Sequence, residues 1–126
     1  MREPAIKVVA MPKDANADGD IFGGWILSMM DLAGGIVARR RADRRVVTVA
    51  IDEVVFHKPV FIGDTVECFA EITKVGSTSV TVKVETYVDR RNSGDRHKVT
   101  EGTLIFVAIG EDRRPCPIPP ENACGV

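Results

Sequence analysis

The 126-residue sequence predicts a single α+β domain, in which a curled antiparallel sheet of about five strands wraps one central helix. Three observations indicate this fold class: one stretch is apolar at nearly every helical position, four later stretches alternate apolar residues, and the links between them are short. The chain can bury a real core, but it is too short for two ordinary domains. A helix that is apolar on most faces must be covered, so we expect the sheet to curl around it.

The central helix is predicted from Gly24 to Arg41, where apolar residues occur nearly all round. Arg39, Arg40 and Arg41 fall where cations favour a helix C-terminus. The same stretch holds several glycines and the acidic Asp31, which a bilayer would not accept in mid-segment. We therefore expect a buried helix and not a membrane span.

The strands are predicted from a period of two in the apolar residues. The first runs from Ala5 to Met11, before the helix, and the later four contain Val47–Ile51, Val66–Ile72, Val80–Val88 and Val99–Ile109. Turn residues separate them at 57–64, 75–78 and 91–96, and such short links join antiparallel neighbours. Four prolines beyond Arg113 cannot extend a sheet interior, so residues 1–112 form the predicted domain and residues 113–126 a Pro-rich tail.

Charge and cysteine content limit the partners that the chain can have. A net charge of −1 gives no overall field for nucleic acid or an anionic membrane, so we expect neither as a partner. No secretory signal opens the sequence, which favours the cytoplasm. Cys68, Cys116 and Cys124 match no disulfide or metal-ligand pattern, and we interpret all three as reduced thiols.

Two motifs could indicate other sites. Residues 14–19 (DANADG) match the first half of a calcium-binding loop, but Trp25 stands where the closing carboxylate is needed, so we predict a polar loop and no metal or cofactor. His57 and His97 have no neighbouring ligand or nucleophile at a suggestive spacing and are interpreted as ordinary turn histidines. Five arginines (Arg39, Arg40, Arg41, Arg44 and Arg45) are interpreted as a solvated basic cap, with phosphate contact left open.

Asp31 is the acidic residue that the helix does not need for stability. It is the one acid between Asp20 and Asp43, and apolar residues flank it on both sides. Burying an ionised carboxylate costs several kcal/mol unless it has a partner. Asp31 is therefore either a structural carboxylate bonded to the backbone or to Ser28, or a carboxylate of raised proton affinity that acts as a general base or nucleophile.

The segment from Asn16 to Ile26 (NADGDIFGGWI), followed by Met30-Asp31, resembles the N-x-x-G…G-G…D signature of hotdog-fold acyl-CoA thioesterases. The short bacterial YciA-type hydrolases are the most similar branch. The likeness continues through residues 45–49 (RVVTV), 56–60 (FHKPV), 63–64 (GD) and 76–80 (GSTSV), so it extends to about Gly110.

The resemblance implies a hydrolase in which Asp31 is the catalytic carboxylate and Asn16 of the partner subunit completes the active site. It further implies a homodimer with shared sites, commonly assembled as a trimer of dimers. The turn formed by Gly76, Ser77, Thr78 and Ser79 would contact coenzyme A, which is both substrate moiety and product and not a cofactor. Lys58, Arg90 and Arg91 are candidates for the coenzyme's phosphates, because cations form charge-assisted bonds to them.

Thioester hydrolysis requires a nucleophile at the carbonyl carbon and stabilisation of the oxyanion. Asp31 could activate a water or attack directly, and the sequence does not choose between these mechanisms. Backbone N–H groups near Gly23 and Gly24, at the helix start, could face the oxyanion. Two alternatives stay open: a non-catalytic acyl-CoA-binding sensor, and a hotdog dehydratase, although that branch's H-F-P-type motif is absent.

Overall fold

The computed structural model describes residues 2–121 of the chain, apart from the side chain of residue 92. Its regular elements are one long helix and five strands, with two short 3₁₀ helices at Pro12–Asp14 and Arg90–Asn92. They follow in the order β1 (Ile6–Val9), α1 (Gly23–Ala42), β2 (Val46–Phe56), β3 (Thr65–Val75), β4 (Ser79–Asp89) and β5 (Arg96–Ala108). The predicted α+β class and all six elements are confirmed.

The five strands form one antiparallel sheet in the order β1-β3-β4-β5-β2. The short link at 76–78 makes β3 and β4 a hairpin, as the turn residues predict. Strand β2 is an edge strand, and its pairing with β5 shifts register after Thr48 and again after Asp52. Such shifts bend and twist an edge strand, so they contribute to the curl of the sheet around the helix.

Helix α1 lies against the sheet with one face. Its buried residues are Ile26, Met30, Ala33, Gly34, Ala38 and Ala42. The helix ends at Ala42 because Asp43 adopts a left-handed conformation, with φ of 55°, and donates its N–H to the Arg39 carbonyl. No helix among residues 2–121 is long and apolar enough to span a membrane.

The prediction that the helix is buried on most of its faces is wrong for a single chain. Leu32 is 55% exposed and Ile36 is 43% exposed. Apolar residues of the edge strand β2 are exposed as well, among them Val49 at 56% and Val55 at 46%. The sheet of one chain therefore covers only one side of the helix, and an apolar surface remains on α1 and β2.

The described part of the tail folds back on the domain. Cys116 donates its N–H to the Ala108 carbonyl at 2.9 Å, and Ile118 donates to the Ser77 carbonyl at 2.8 Å. The Arg41 guanidinium donates to the carbonyl of Pro119 at 2.9 Å. Residues 115–121 thus lie beside the β3–β4 turn and the C-terminal end of α1, while the division into domain and tail stays a prediction.

Candidate active site

Close packing of α1 on β5 places the middle of the helix beside the sheet. A Cβ added at Gly34 would lie 3.0 Å from the Phe106 ring, closer than ordinary van der Waals contact. The missing side chain therefore allows the helix to approach Phe106 at this point. Asp31 lies about one turn earlier on the helix, so the same close approach brings it near the sheet.

Asp31 bonds to the edge strand β2. The Thr48 hydroxyl donates a hydrogen bond to Asp31 Oδ1 with an O–O distance of 2.5 Å. The alternative partner considered from the sequence, Ser28, donates instead to the Trp25 carbonyl at 2.7 Å. Thr48 thus orients the carboxylate, and Asp31 Oδ2 has no hydrogen-bond partner among residues 2–121.

Thr48 was not among the predicted site residues, although it lies in one of the stretches that carry the family resemblance. A threonine in a strand has high β propensity and needs no further explanation. The one available signal is its place at the start of the strand that follows the helix, where a hydroxyl could face the helix's isolated acid.

The Asp31–Thr48 pair lies in an open groove of about 330 Å³. Its lining is mostly apolar and consists of Asp31, Leu32, Gly35, Ile36, Arg39, Val46, Thr48 and Phe106. An oriented carboxylate with one unpartnered oxygen, in an apolar groove, can accept a proton from water or attack a carbonyl carbon. Leu32 and Ile36 are exposed, so within a single chain the groove is open to solvent on the side of these two residues.

The structure does not bring Asn16 to Asp31 within one chain. The Asn16 side-chain oxygen accepts the N–H groups of Asp18 at 2.9 Å and Asp20 at 3.1 Å, inside its own loop. That loop continues through an antiparallel bridge between Asp20 and Phe61. Asn16 is therefore fixed in position but is absent from the lining of the Asp31 groove.

Gly23 and Gly24 begin the helix about two turns before Asp31, which is about 12 Å along the axis. A Cβ added at Gly24 would meet no atom within 4 Å, and one at Gly23 would make ordinary contact with Phe56. The space beside the Gly24 Cα atom is therefore open. Within one chain the N–H groups of Gly23 and Gly24 are too far from Asp31 to bind the same carbonyl group.

The candidate coenzyme A contacts lie at two opposite ends of the sheet. The turn of Gly76, Ser77, Thr78 and Ser79 adjoins the Asp31 end, because Ala108 donates to the Thr78 carbonyl and pairs with Val46. Lys58, Arg90 and Arg91 lie at the other end. Strand β4 joins the two ends, and its 11 residues extend about 35 Å.

Arg90 already has a partner in the protein. Its Nη1 donates to Asp64 Oδ2 at 2.7 Å, and its guanidinium lies 4.6 Å from the centre of the Phe61 ring. Asp64 is completely buried. Lys58 lies 3.4 Å from a ring nitrogen of His97, and Arg91 is exposed with a left-handed φ of 50°.

The other titratable groups have structural neighbours. His57 Nε2 lies 2.7 Å from Glu101 Oε2, and hydrogen bonds from His57 and then Lys98 lower the pKa of Glu101. His97 pairs with Asp95 at 3.0 Å. Both histidines therefore have carboxylate partners that the sequence spacing did not indicate.

The half-matching calcium loop uses its polar groups internally. Asp14 is buried and accepts the Met11 N–H at 3.1 Å. Within residues 2–121, no group of three or more His, Cys, Asp or Glu side chains could hold a metal ion. Cys68 and Cys116 are free thiols, and Cys124 lies outside the described residues.

Comparison with known proteins gives matches over most of the chain. A family model described as the thioesterase superfamily matches residues 18–94. An uncharacterized acyl-CoA thioester hydrolase of Zymomonas mobilis is 51% identical over 120 residues, covering 95% of this chain and 80% of that protein. The acyl-CoA thioester hydrolase YciA of Salmonella typhimurium is 44% identical, covering 93% of this chain and 90% of its own length.

Solved structures agree with the sequence matches. The crystal structure of a hexameric hotdog fold thioesterase of Campylobacter jejuni superposes with a TM-score of 0.88 and 45% identity. The superposition covers 94% of this chain and 92% of that one.

Proposed function

We propose that this chain, which belongs to the thioesterase superfamily, hydrolyses acyl-CoA thioesters to a free acid and coenzyme A. The observation that carries the proposal is the Asp31 carboxylate, held by Thr48 in an apolar groove, with one oxygen that no group of residues 2–121 bonds. The named relatives are acyl-CoA thioester hydrolases, which supports the same reaction.

Asp31 has two chemically balanced ways to cleave the thioester. As a general base, it takes a proton from water while the oxygen of that water attacks the carbonyl carbon. As a nucleophile, it forms a mixed anhydride and releases the coenzyme A thiolate, and water then cleaves the anhydride. In both routes the C–S bond breaks and the thiolate gains a proton.

The second half of the site is proposed to come from another subunit. In one chain, Asn16, Gly23 and Gly24 lie before or at the start of the helix, whereas Asp31 lies near its middle and the β3–β4 turn lies nearer its C-terminal end. A two-fold axis that sets two helices antiparallel would bring each Asn16 loop to the partner's Asp31. Asn16 could then donate its amide to the substrate carbonyl or hold the attacking water.

The exposed apolar residues of α1 and β2 support a homodimer of this kind. Leu32 and Ile36 flank the Asp31 groove, and a second chain would cover them and close the open side. The Campylobacter jejuni relative is hexameric, which supports a trimer of such dimers here.

The Gly76–Ser79 turn is the proposed coenzyme A contact, because it adjoins the Asp31 end of the sheet. The bond of Arg90 to Asp64 argues against a phosphate contact for this residue, whereas Lys58 and Arg91 would reach the phosphates only from the partner under the two-fold arrangement. We place the reaction in the cytoplasm, since the free thiols of Cys68 and Cys116 fit a reducing compartment.

A thiol-release assay over acyl-CoA substrates of increasing chain length tests the function. We expect turnover by the wild-type chain and none by Asp31→Asn, which keeps the shape of the side chain and loses its basicity. Glu111→Gln, in an exposed turn, is the matched control and should keep full activity. Tight binding of acyl-CoA without thiol release would instead identify a non-catalytic sensor.

A further inference from the structure

A cleft of about 1280 Å³ lies beside the C-terminal end of α1 and carries an excess of positive charge. Four arginines line it, Arg39, Arg40, Arg41 and Arg44, against the two acids Asp43 and Glu121. The whole chain has a net charge of −1, so this local excess is not a property of the surface in general.

The arginines of this cleft have few anionic partners. Arg39 and Arg40 make no side-chain hydrogen bond or ion pair within residues 2–121. Arg41 lies 3.8 Å from Glu121, whose side chain is 84% exposed. Guanidinium groups that outnumber the carboxylates of a common cleft attract an external anion.

Arg44 adds an independent observation. Its Nε is buried and has no hydrogen-bond partner in the described part of the chain, while one terminal nitrogen donates to the Cys116 sulfur at 3.4 Å. A buried donor without an acceptor is costly, so an oxygen-rich ligand or a water is needed there. Attraction to the helix dipole accounts for cations in the last turn, but Arg44 lies beyond the end of the helix.

The arginine cleft joins the Asp31 groove. Ile36 and Arg39 line both, and Arg39 lies about 12 Å along the helix axis from Asp31. Other walls of the cleft are apolar and include Ile72 and Pro119. The two spaces together thus offer an acyl site at a carboxylate and a cationic site with apolar walls, separated by about two helical turns.

We infer that the cleft of Arg39, Arg40, Arg41 and Arg44 binds the phosphate groups of coenzyme A while the thioester lies at Asp31. This inference rests on the proposed function. Coenzyme A carries its phosphates and adenine at the far end of a flexible pantetheine arm from the thioester, which matches that separation. The apolar walls suit the adenine ring, and the guanidinium groups suit the phosphates.

Kinetics with two thioesters of the same acyl group test the phosphate site. One is the acyl-CoA, and the other is the S-acyl-N-acetylcysteamine, which lacks the phosphates and the nucleotide. We expect Arg40→Gln, at an exposed residue that lines the cleft but not the Asp31 groove, to raise the KM for acyl-CoA about tenfold, the size of one solvated charge-assisted bond. Its kcat/KM for the short thioester should be unchanged. The KM difference should also shrink in high salt, because salt screens exposed charges.

Arg113→Gln is the matched control, since Arg113 is an exposed cation in the Gly110–Arg114 turn and does not line the cleft. It should leave both substrates unaffected. An equal loss toward both thioesters, or no loss toward acyl-CoA, would overturn the inference.

Calorimetric titration with coenzyme A separates this inference from the proposed function. Binding that Arg40→Gln weakens about tenfold supports the phosphate site even if no thioester is hydrolysed. Titration with pyrophosphate distinguishes the source of the anion. Binding of pyrophosphate as tight as that of coenzyme A would contradict the assignment, because a general anion site would explain it.

Discussion

Sequence and structure give different roles to Arg90, and substitution of this residue tests which role is right. Its positive charge makes it a candidate phosphate contact in the sequence, whereas the structure bonds it to the completely buried Asp64 at 2.7 Å. We predict that Arg90→Gln destabilises the fold and leaves the KM for acyl-CoA nearly unchanged. Glutamine keeps a polar side chain, but it carries no positive charge and cannot reproduce the hydrogen bond from the guanidinium to Asp64.

The size of the destabilisation follows from the hydrogen bonds that Asp64 would keep without Arg90. Besides Arg90, its carboxylate accepts the Phe61 N–H at 2.9 Å, and its Oδ1 has no partner among residues 2–121. Removing one partner of a buried ion pair costs about 3–5 kcal/mol. Arg90 is 22% exposed, so water can partly replace it, and we expect about 3 kcal/mol, or about 10 °C in Tm.

Thermal and urea unfolding of four proteins measure this effect: the wild type, Arg90→Gln, Asp64→Asn and the double variant. The double variant should be more stable than Arg90→Gln alone, because neutralising Asp64 removes the unpaired buried charge. If Arg90→Gln unfolds like the wild type and raises the KM for acyl-CoA, Arg90 is a substrate contact and the structural reasoning is wrong.

Three further predictions concern stability and reactivity. Gly34→Ala should lower stability by about 1–3 kcal/mol in urea unfolding, because its Cβ would press on Phe106, whereas the matched Gly24→Ala should not. Burial raises the pKa of the Cys68 thiol, so alkylation followed by peptide mass spectrometry should find it unmodified in the native protein at pH 7 and modified in urea. Hydrogen bonds from lysine and arginine lower the pKa of Glu85, so its stabilisation is present at neutral pH and lost as pH falls through that lowered pKa. The stability gap between wild type and Glu85→Gln in urea should therefore shrink between about pH 5 and pH 3, and a constant gap would contradict this assignment.

Most of the fold could be predicted because the two kinds of apolar periodicity are local properties of the sequence. Helix α1 differs from its prediction by one residue at each end. The burial of the helix could not be predicted in the same way, since an apolar residue does not show what covers it. Leu32 and Ile36 are apolar as expected, yet the sheet of their own chain leaves them exposed.

The candidate site was predictable only in part. Asp31 could be found because an isolated acid in an apolar helix is unusual in the sequence itself. Its partner Thr48 became visible only when β2 was placed against the helix. The bond between Arg90 and Asp64 likewise joins residues far apart in the chain, so the structural role of Arg90 was hidden from the sequence.

Subunit complementation tests most directly the claim that Asp31 of one chain works with Asn16 of another. Asn16→Ala and Asp31→Ala are each expected to be inactive, and they are mixed under conditions that exchange subunits. A mixed dimer then has one site with both lesions and one with neither. Random pairing gives recovered activity of about a quarter of the wild type, because half the dimers are mixed and half their sites are intact. No recovery, with exchange confirmed by mass spectrometry, would show that the two residues act within one chain or do not act together.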